Sequence, residues 1–161
     1  MALNRYFRRP VLAAIAAGLL FLPKLPAQGN ILSIETPAPV PAKRGAAVQV
    51  KLKVSIQPGF HANSNTPSED YLIPMKLTWT PGPLESPTVT YPKAQMEKYE
   101  FSDKPISVYT GNFELTTTFK VPANAPVSPA VMSGKLRYQA CNNKSCFPPK
   151  TVEVKLPVQV Q

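Results

Sequence analysis

The stretch Val48-Gln49-Val50-Lys51-Leu52-Lys53-Val54-Ser55-Ile56 places an apolar residue at every second position and a polar one between each pair. Successive side chains of an extended chain point to opposite faces, so this alternation predicts a strand with one face buried and one face wet. The same period returns at Ile73 to Trp79, Phe113 to Val121, Met132 to Ala140 and Val152 to Val160. Shorter apolar runs at Ile31 to Thr36, Thr88 to Tyr91 and Ile106 to Tyr109 bring the expected strands to about eight. No helical period appears after the amino-terminal segment. Each sheet built from such strands has one apolar face to cover, which predicts an all-β, immunoglobulin-like sandwich of two antiparallel sheets.

The 20 prolines fall mostly between the apolar runs, where they end strands or guard sheet edges. Thr36-Pro37-Ala38-Pro39-Val40-Pro41 reads as an extended connector.

The amino-terminal segment has the three parts of a secretory leader. Arg5, Arg8 and Arg9 are followed by an apolar run from Val11 to Leu22 and a small-residue exit at Pro26-Ala27-Gln28-Gly29. Residues 1–27 are expected to be removed, leaving residues 28–161 as one exported, monomeric domain. The apolar run is shorter than the roughly 20 residues of a spanning helix, so no membrane span is expected after cleavage. The chain is formally +9, and the leader holds four basic residues and no acid, leaving about +5. The lysines are scattered rather than clustered, which excludes a nucleic-acid partner.

Two cysteines, Cys141 and Cys146, carry the chemistry. Export places them in an oxidising compartment, where a disulfide is expected. Asn142-Asn143-Lys144-Ser145 between them reads as a hairpin loop, since Asn tolerates left-handed turn conformations. Parity places Cys141 with Arg137 and Gln139, off the apolar face of Leu136, Tyr138 and Ala140, so its sulfur is expected to be reachable from outside the core. No metal or other cofactor is expected, because two Cys and the single His61 are too few for a structural zinc site. His61, in Gly59-Phe60-His61-Ala62-Asn63, reads as a solvated loop residue rather than the base of a cysteine hydrolase. Spacing leaves two uses for the pair open. One is thiol-disulfide exchange; the other is a structural hairpin bridge in a non-redox binding module.

Tyr138-Gln139-Ala140-Cys141, followed by Cys146-Phe147-Pro148-Pro149, resembles the signature of the amino-terminal domain of the thiol:disulfide interchange protein DsbD, a family of periplasmic immunoglobulin-like reductase domains. Gly59-Phe60-His61-Ala62-Asn63-Ser64-Asn65 and Tyr71-Leu72-Ile73-Pro74 are also similar to segments of free-standing bacterial relatives. The resemblance implies a periplasmic domain whose Cys141 and Cys146 accept electrons from a membrane-embedded thiol-disulfide relay protein and pass them to periplasmic thioredoxin-fold proteins. It also implies a cap loop that shields the sulfurs with an aromatic side chain. Phe101 is the first choice for that shield and Tyr99 the second, in Tyr99-Glu100-Phe101-Ser102-Asp103, where Glu100 and Asp103 would be placed to raise a cysteine pKa. The better-known enterobacterial form has one more residue between its cysteines. This chain carries neither relay nor thioredoxin-like segment, so its electrons are expected from a separate protein.

Overall fold

The structure, a computed structural model, describes residues 30–161; the leader expected at residues 1–27 lies outside them. Twelve strands follow one another: β1 (Leu32–Ile34), β2 (Val40–Ala42), β3 (Ala47–Ile56), β4 (His61–Asn63), β5 (Lys76–Trp79), β6 (Glu85–Thr90), β7 (Gln95–Glu97), β8 (Ile106–Thr110), β9 (Asn112–Lys120), β10 (Pro129–Tyr138), β11 (Ala140–Cys141) and β12 (Lys150–Val160). They form three sheets, ordered β1-β3-β9-β6, β2-β12-β10-β5 and β11-β4-β8-β7.

The first two sheets make the expected sandwich. Val50, Leu52, Val54 and Ile56 of β3 and Leu115 and Phe119 of β9 share one core with Met132 and Leu136 of β10 and Val154, Leu156 and Val158 of β12. Trp79 ties the layers together. Its indole Nε1 donates to Thr117 Oγ1 at 3.1 Å, and its ring meets Phe119 edge-on at 5.1 Å between centroids. This satisfies the one polar atom of the indole inside the core. Gly134 is required opposite it, because a Cβ there would lie 2.9 Å from the Trp79 ring.

Three short strands depart from the reading of the sequence. The connector around Pro37 to Pro41 contributes β2, which pairs with β12 in parallel, the only parallel ladder among the described residues. The proline is tolerated because β2 is an edge strand. The strand expected from Ile73 begins only at Lys76, since Pro74 has no N–H to give and the Ile73 N–H is taken by the Gln139 side chain at 3.0 Å. The segment read as a solvated loop around His61 is β4, with His61, Ala62 and Asn63 all buried.

β4 belongs to the third sheet, which the sequence reading did not anticipate. The strand β8 at its centre is buried on both faces, so it carries no alternation. Tyr109 turns toward the main core, while Ile106 and Val108 form a second small apolar cluster with Leu72 on the opposite face. That face carries the cysteines.

Candidate functional site

The chain leaves the sandwich at Gln139, between the end of β10 and the start of β11. The Gln139 side chain fixes this crossing. Its Oε1 accepts from Asn63 Nδ2 at 2.9 Å and from the Ile73 N–H at 3.0 Å, and its Nε2 donates to the Phe147 carbonyl at 3.2 Å. One side chain therefore joins β4, the segment before β5 and the far arm of the cysteine hairpin.

Asn142 closes that hairpin. Its Oδ1 accepts from the Lys144 and Ser145 N–H groups at 2.9 and 2.8 Å, and its own N–H donates to the Ser145 carbonyl at 2.9 Å. A side-chain oxygen that substitutes for a backbone acceptor is the reason Asn suits this position. The turn sets Cys141 and Cys146 opposite each other in an antiparallel bridge, with Cα atoms 3.9 Å apart and the sulfurs joined. Beyond it the Phe147 N–H returns to the Ala140 carbonyl at 2.8 Å.

Parity holds through the crossing: Ala140 packs into the main core and Cys141 points to the other face of the third sheet. The expectation of an accessible sulfur fails, because that face is covered and Cys141 is 0% exposed. Cys146 is only partly buried and packs with Tyr99 and Phe101 against Leu72, Ile106 and Val108. The segment between β7 and β8 brings Tyr99 and Phe101 onto this face. Its turn is held by Ser102, whose N–H donates to the Tyr99 carbonyl at 3.2 Å and whose hydroxyl donates to the Lys104 carbonyl at 2.8 Å. The segment is clasped to the hairpin at one point: the Asn143 amide donates to the Glu100 carboxylate at 2.5 Å, and the Glu100 N–H donates to the Asn143 carbonyl at 3.2 Å. Glu100 is thus engaged by the cysteine loop, while Asp103 is exposed.

His61 was read as a loop residue, and the structure places it at the centre of the site. It is the strand partner of Cys141 across the β11–β4 ladder and is 2% exposed. Tyr99 stacks on its ring at 3.8 Å between centroids, and Phe101 lies nearly parallel to both rings, 6.1 Å from His61 and 5.8 Å from Tyr99. The Tyr99 hydroxyl donates to the Glu97 carboxylate on β7. Burial lowers the His61 pKa to about 4, against the opposing pull of Glu97, so the ring is neutral at pH 7. Burial and the Glu97 carboxylate raise the Tyr99 phenol above its ordinary range. The available signal for His61 was its place in Gly59-Phe60-His61-Ala62-Asn63; a three-residue strand is too short to show a period.

Two hollows flank the hairpin. One, of about 470 Å³, is lined by Ile31, Gln57, Phe60, Phe147, Pro148 and Pro149. The other, of about 600 Å³, reaches His61, Glu97, Tyr99 and Asn143, and shares Gln57 and Phe60 with the first. Phe60, which lines both, sits 6.0 Å between ring centroids from Phe147 of the first.

A solved structure shares the fold. The N-terminal periplasmic domain of ScsB from Proteus mirabilis superposes with a TM-score of 0.53 at 15% identity, over 71% of this chain and 43% of that one. The present chain therefore spans less than half the length of that structure. A PapD-like domain of human CEP192 aligns over 92% of this chain and 98% of its own, with a TM-score of 0.44 and 12% identity. A comparison of the sequence with curated proteins returns no match. The family described as the N-terminal domain of the thiol:disulfide interchange protein DsbD matches residues 28–157, which takes in β1 to β11, the cysteine hairpin and most of β12, and the chain belongs to that family.

Proposed function

We propose that this chain is a periplasmic thiol-disulfide interchange domain that passes electrons between redox partners through the Cys141–Cys146 pair. The observation that carries the reading is the placement of the disulfide. It joins two residues five positions apart on a hairpin of the small third sheet and links no part of the sandwich core to another. A bridge of that kind restricts little of the unfolded chain. It does hold two sulfurs beside a segment that a docking partner can displace.

Residues 1–27 act as the secretory leader and residues 28–161 as the working domain, in a compartment where the disulfide forms. Family membership supports a membrane-embedded relay as electron donor and thioredoxin-fold proteins as acceptors. The apolar rim of Phe60, Phe147, Pro148 and Pro149 offers such partners a surface beside the sulfurs. Partial exposure makes Cys146 the sulfur that meets the partner, and burial makes Cys141 the one that resolves the mixed disulfide. Phe101 and Tyr99 shield the pair between encounters.

Equilibration of the domain with glutathione mixtures tests this reading. An exchange pair has a reduction potential above roughly −300 mV and is reduced by a thioredoxin-like donor. A potential below that range, with no reduction by such a donor, would instead assign the bridge to a non-redox binding module.

A further inference from the structure

We propose that His61 is the proton acceptor for Cys141: in the reduced domain its Nε2 takes the Cys141 thiol proton and so frees that sulfur to resolve the mixed disulfide held by Cys146. This rests on the reading of the pair as an exchange centre and adds a residue to it.

The geometry begins with register. Cys141 and His61 are directly opposed in the antiparallel β11–β4 ladder, so their side chains leave the same face of the sheet, and both are buried. His61 Nε2 finds no hydrogen-bond partner among the described residues. A buried polar atom left unpaired is unfavourable and uncommon, and packing alone does not call for one here. Phenylalanine would fill the slot beneath Tyr99 without a nitrogen to satisfy. The disulfide form is the state in which Cys141 carries no hydrogen, and it is the state in which Nε2 is orphaned. Reduction places a thiol proton on the opposing strand and supplies the missing partner.

The surrounding charges suit the role. Glu97 on β7 faces the ring and favours its protonated form, Tyr99 above it has committed its hydroxyl to Glu97, and Glu100 is held by Asn143. Ile106 and Val108 of β8 bring no charge to this face, and Thr110 is the strand partner of His61 on that side. In the disulfide form burial holds the ring neutral and a weak base, so acceptance of a proton depends on the charges that gather beside it. The anion formed on Cys141 and the Glu97 carboxylate both stabilise the imidazolium at the moment of transfer.

The step balances as follows. The Cys146 thiolate has attacked a partner disulfide, releasing the partner's second sulfur and leaving a Cys146–partner bond. The Cys141 S–H bond breaks and its proton passes to Nε2. The Cys141 sulfur attacks the Cys146 sulfur and forms the intramolecular disulfide. The Cys146–partner bond breaks, its electron pair leaves on the partner sulfur, and that thiolate takes up the proton from His61. The partner is reduced by two electrons to one thiol and one thiolate, the latter taking its proton from water, and the domain is oxidised by two.

The test uses the reduced domain and dithionitrobenzoate, an aromatic disulfide that releases one coloured thiolate when Cys146 attacks and a second when Cys141 resolves. In His61→Phe the second release slows about a hundredfold near pH 7 and recovers only as the pH rises past about 8.5, the ordinary range of an exposed thiol, because Cys141 is buried. The first release stays within about threefold of wild type. His61→Gln, which keeps a polar side chain but no protonatable nitrogen, gives the same slow second phase and serves if the Phe variant does not fold. A second release with wild-type rate and pH profile in either folded variant overturns the proposal. If instead the wild-type domain releases both thiolates yet exchanges with no thioredoxin-fold protein, the exchange reading falls, while the role of His61 toward Cys141 is still read from the second phase.

Discussion

Tyr99 and Phe101 are two residues apart, their rings are nearly parallel, and both pack on the small cluster of Leu72, Ile106 and Val108 beside Cys146. Tyr99 also stacks on His61 at 3.8 Å between centroids, whereas Phe101 lies 6.1 Å from that ring. Phe101→Ala is therefore expected to speed alkylation of the reduced dithiol by a small thiol reagent, because access limits attack as well as thiolate fraction. The half-buried ring lies outside the main core, so its loss costs less than the roughly 3–5 kcal/mol of a core Phe→Ala change. An unchanged alkylation rate with a stability loss of core size would make Phe101 a packing residue. His61 gives a second expectation at this scale. Its folded pKa of about 4 lies below the unfolded value of 6.5, so between these limits the unfolded chain binds the extra proton. Stability is then full above about pH 6.5 and falls as the pH drops toward 4, by about 3 kcal/mol from this group. Urea unfolding of wild type and His61→Phe across that range reads the difference: the variant loses less stability on acidification. Parallel curves would show that His61 protonates as readily in the folded as in the unfolded state.

Among elements, the crossing from β10 to β11 depends on Gln139, and Gln139→Ala is expected to destabilise the domain by about 2–3 kcal/mol. The change removes three hydrogen bonds, leaves the buried Asn63 amide short of an acceptor, and frees the Ile73 N–H and the Phe147 carbonyl. Denaturant unfolding checks the total, and hydrogen exchange at β4 and β11 checks that the loss is local to the third sheet. A stability unchanged from wild type would mean that backbone pairing alone holds the crossing. This element also marks how far the sequence could be read. Long strands such as Val48 to Ile56 announce themselves because one face is buried and the other wet. The third sheet gives no such signal: β8 is buried on both faces, and β4, β7 and β11 have three, three and two residues. The cysteine hairpin was legible from Asn142 and from parity. The covered sulfur was not, because parity states which face a residue takes and not what another segment lays over it. His61 was hidden for the same reason, its burial being set by Tyr99, which is 38 positions away in the chain.

For the whole molecule the separation of core from chemistry decides what loss of the disulfide does. Closing a loop of about 6 residues contributes roughly 2 kcal/mol by the chain-entropy relation, and the bridge lies on the face of the third sheet turned away from the main core. The main core runs through the strands of the sandwich and is tied across its layers by Trp79 and Thr117, while the third sheet adds Ala62, Tyr109 and Ala140 from the face opposite the sulfurs. Cys146→Ala is therefore expected to fold, to unfold cooperatively, and to lose less than about 10 °C of thermal midpoint. The remaining Cys141 is fully buried, so the variant should also resist alkylation more than reduced wild type does. Exchange with a thioredoxin-fold protein should vanish entirely, since no sulfur is left to form and resolve the mixed disulfide in turn. Circular dichroism melting, alkylation and exchange measured on one preparation separate these effects. A variant that is unfolded at room temperature would show that the bridge holds the fold, and would move the Cys141–Cys146 pair from the working part of the molecule to its frame.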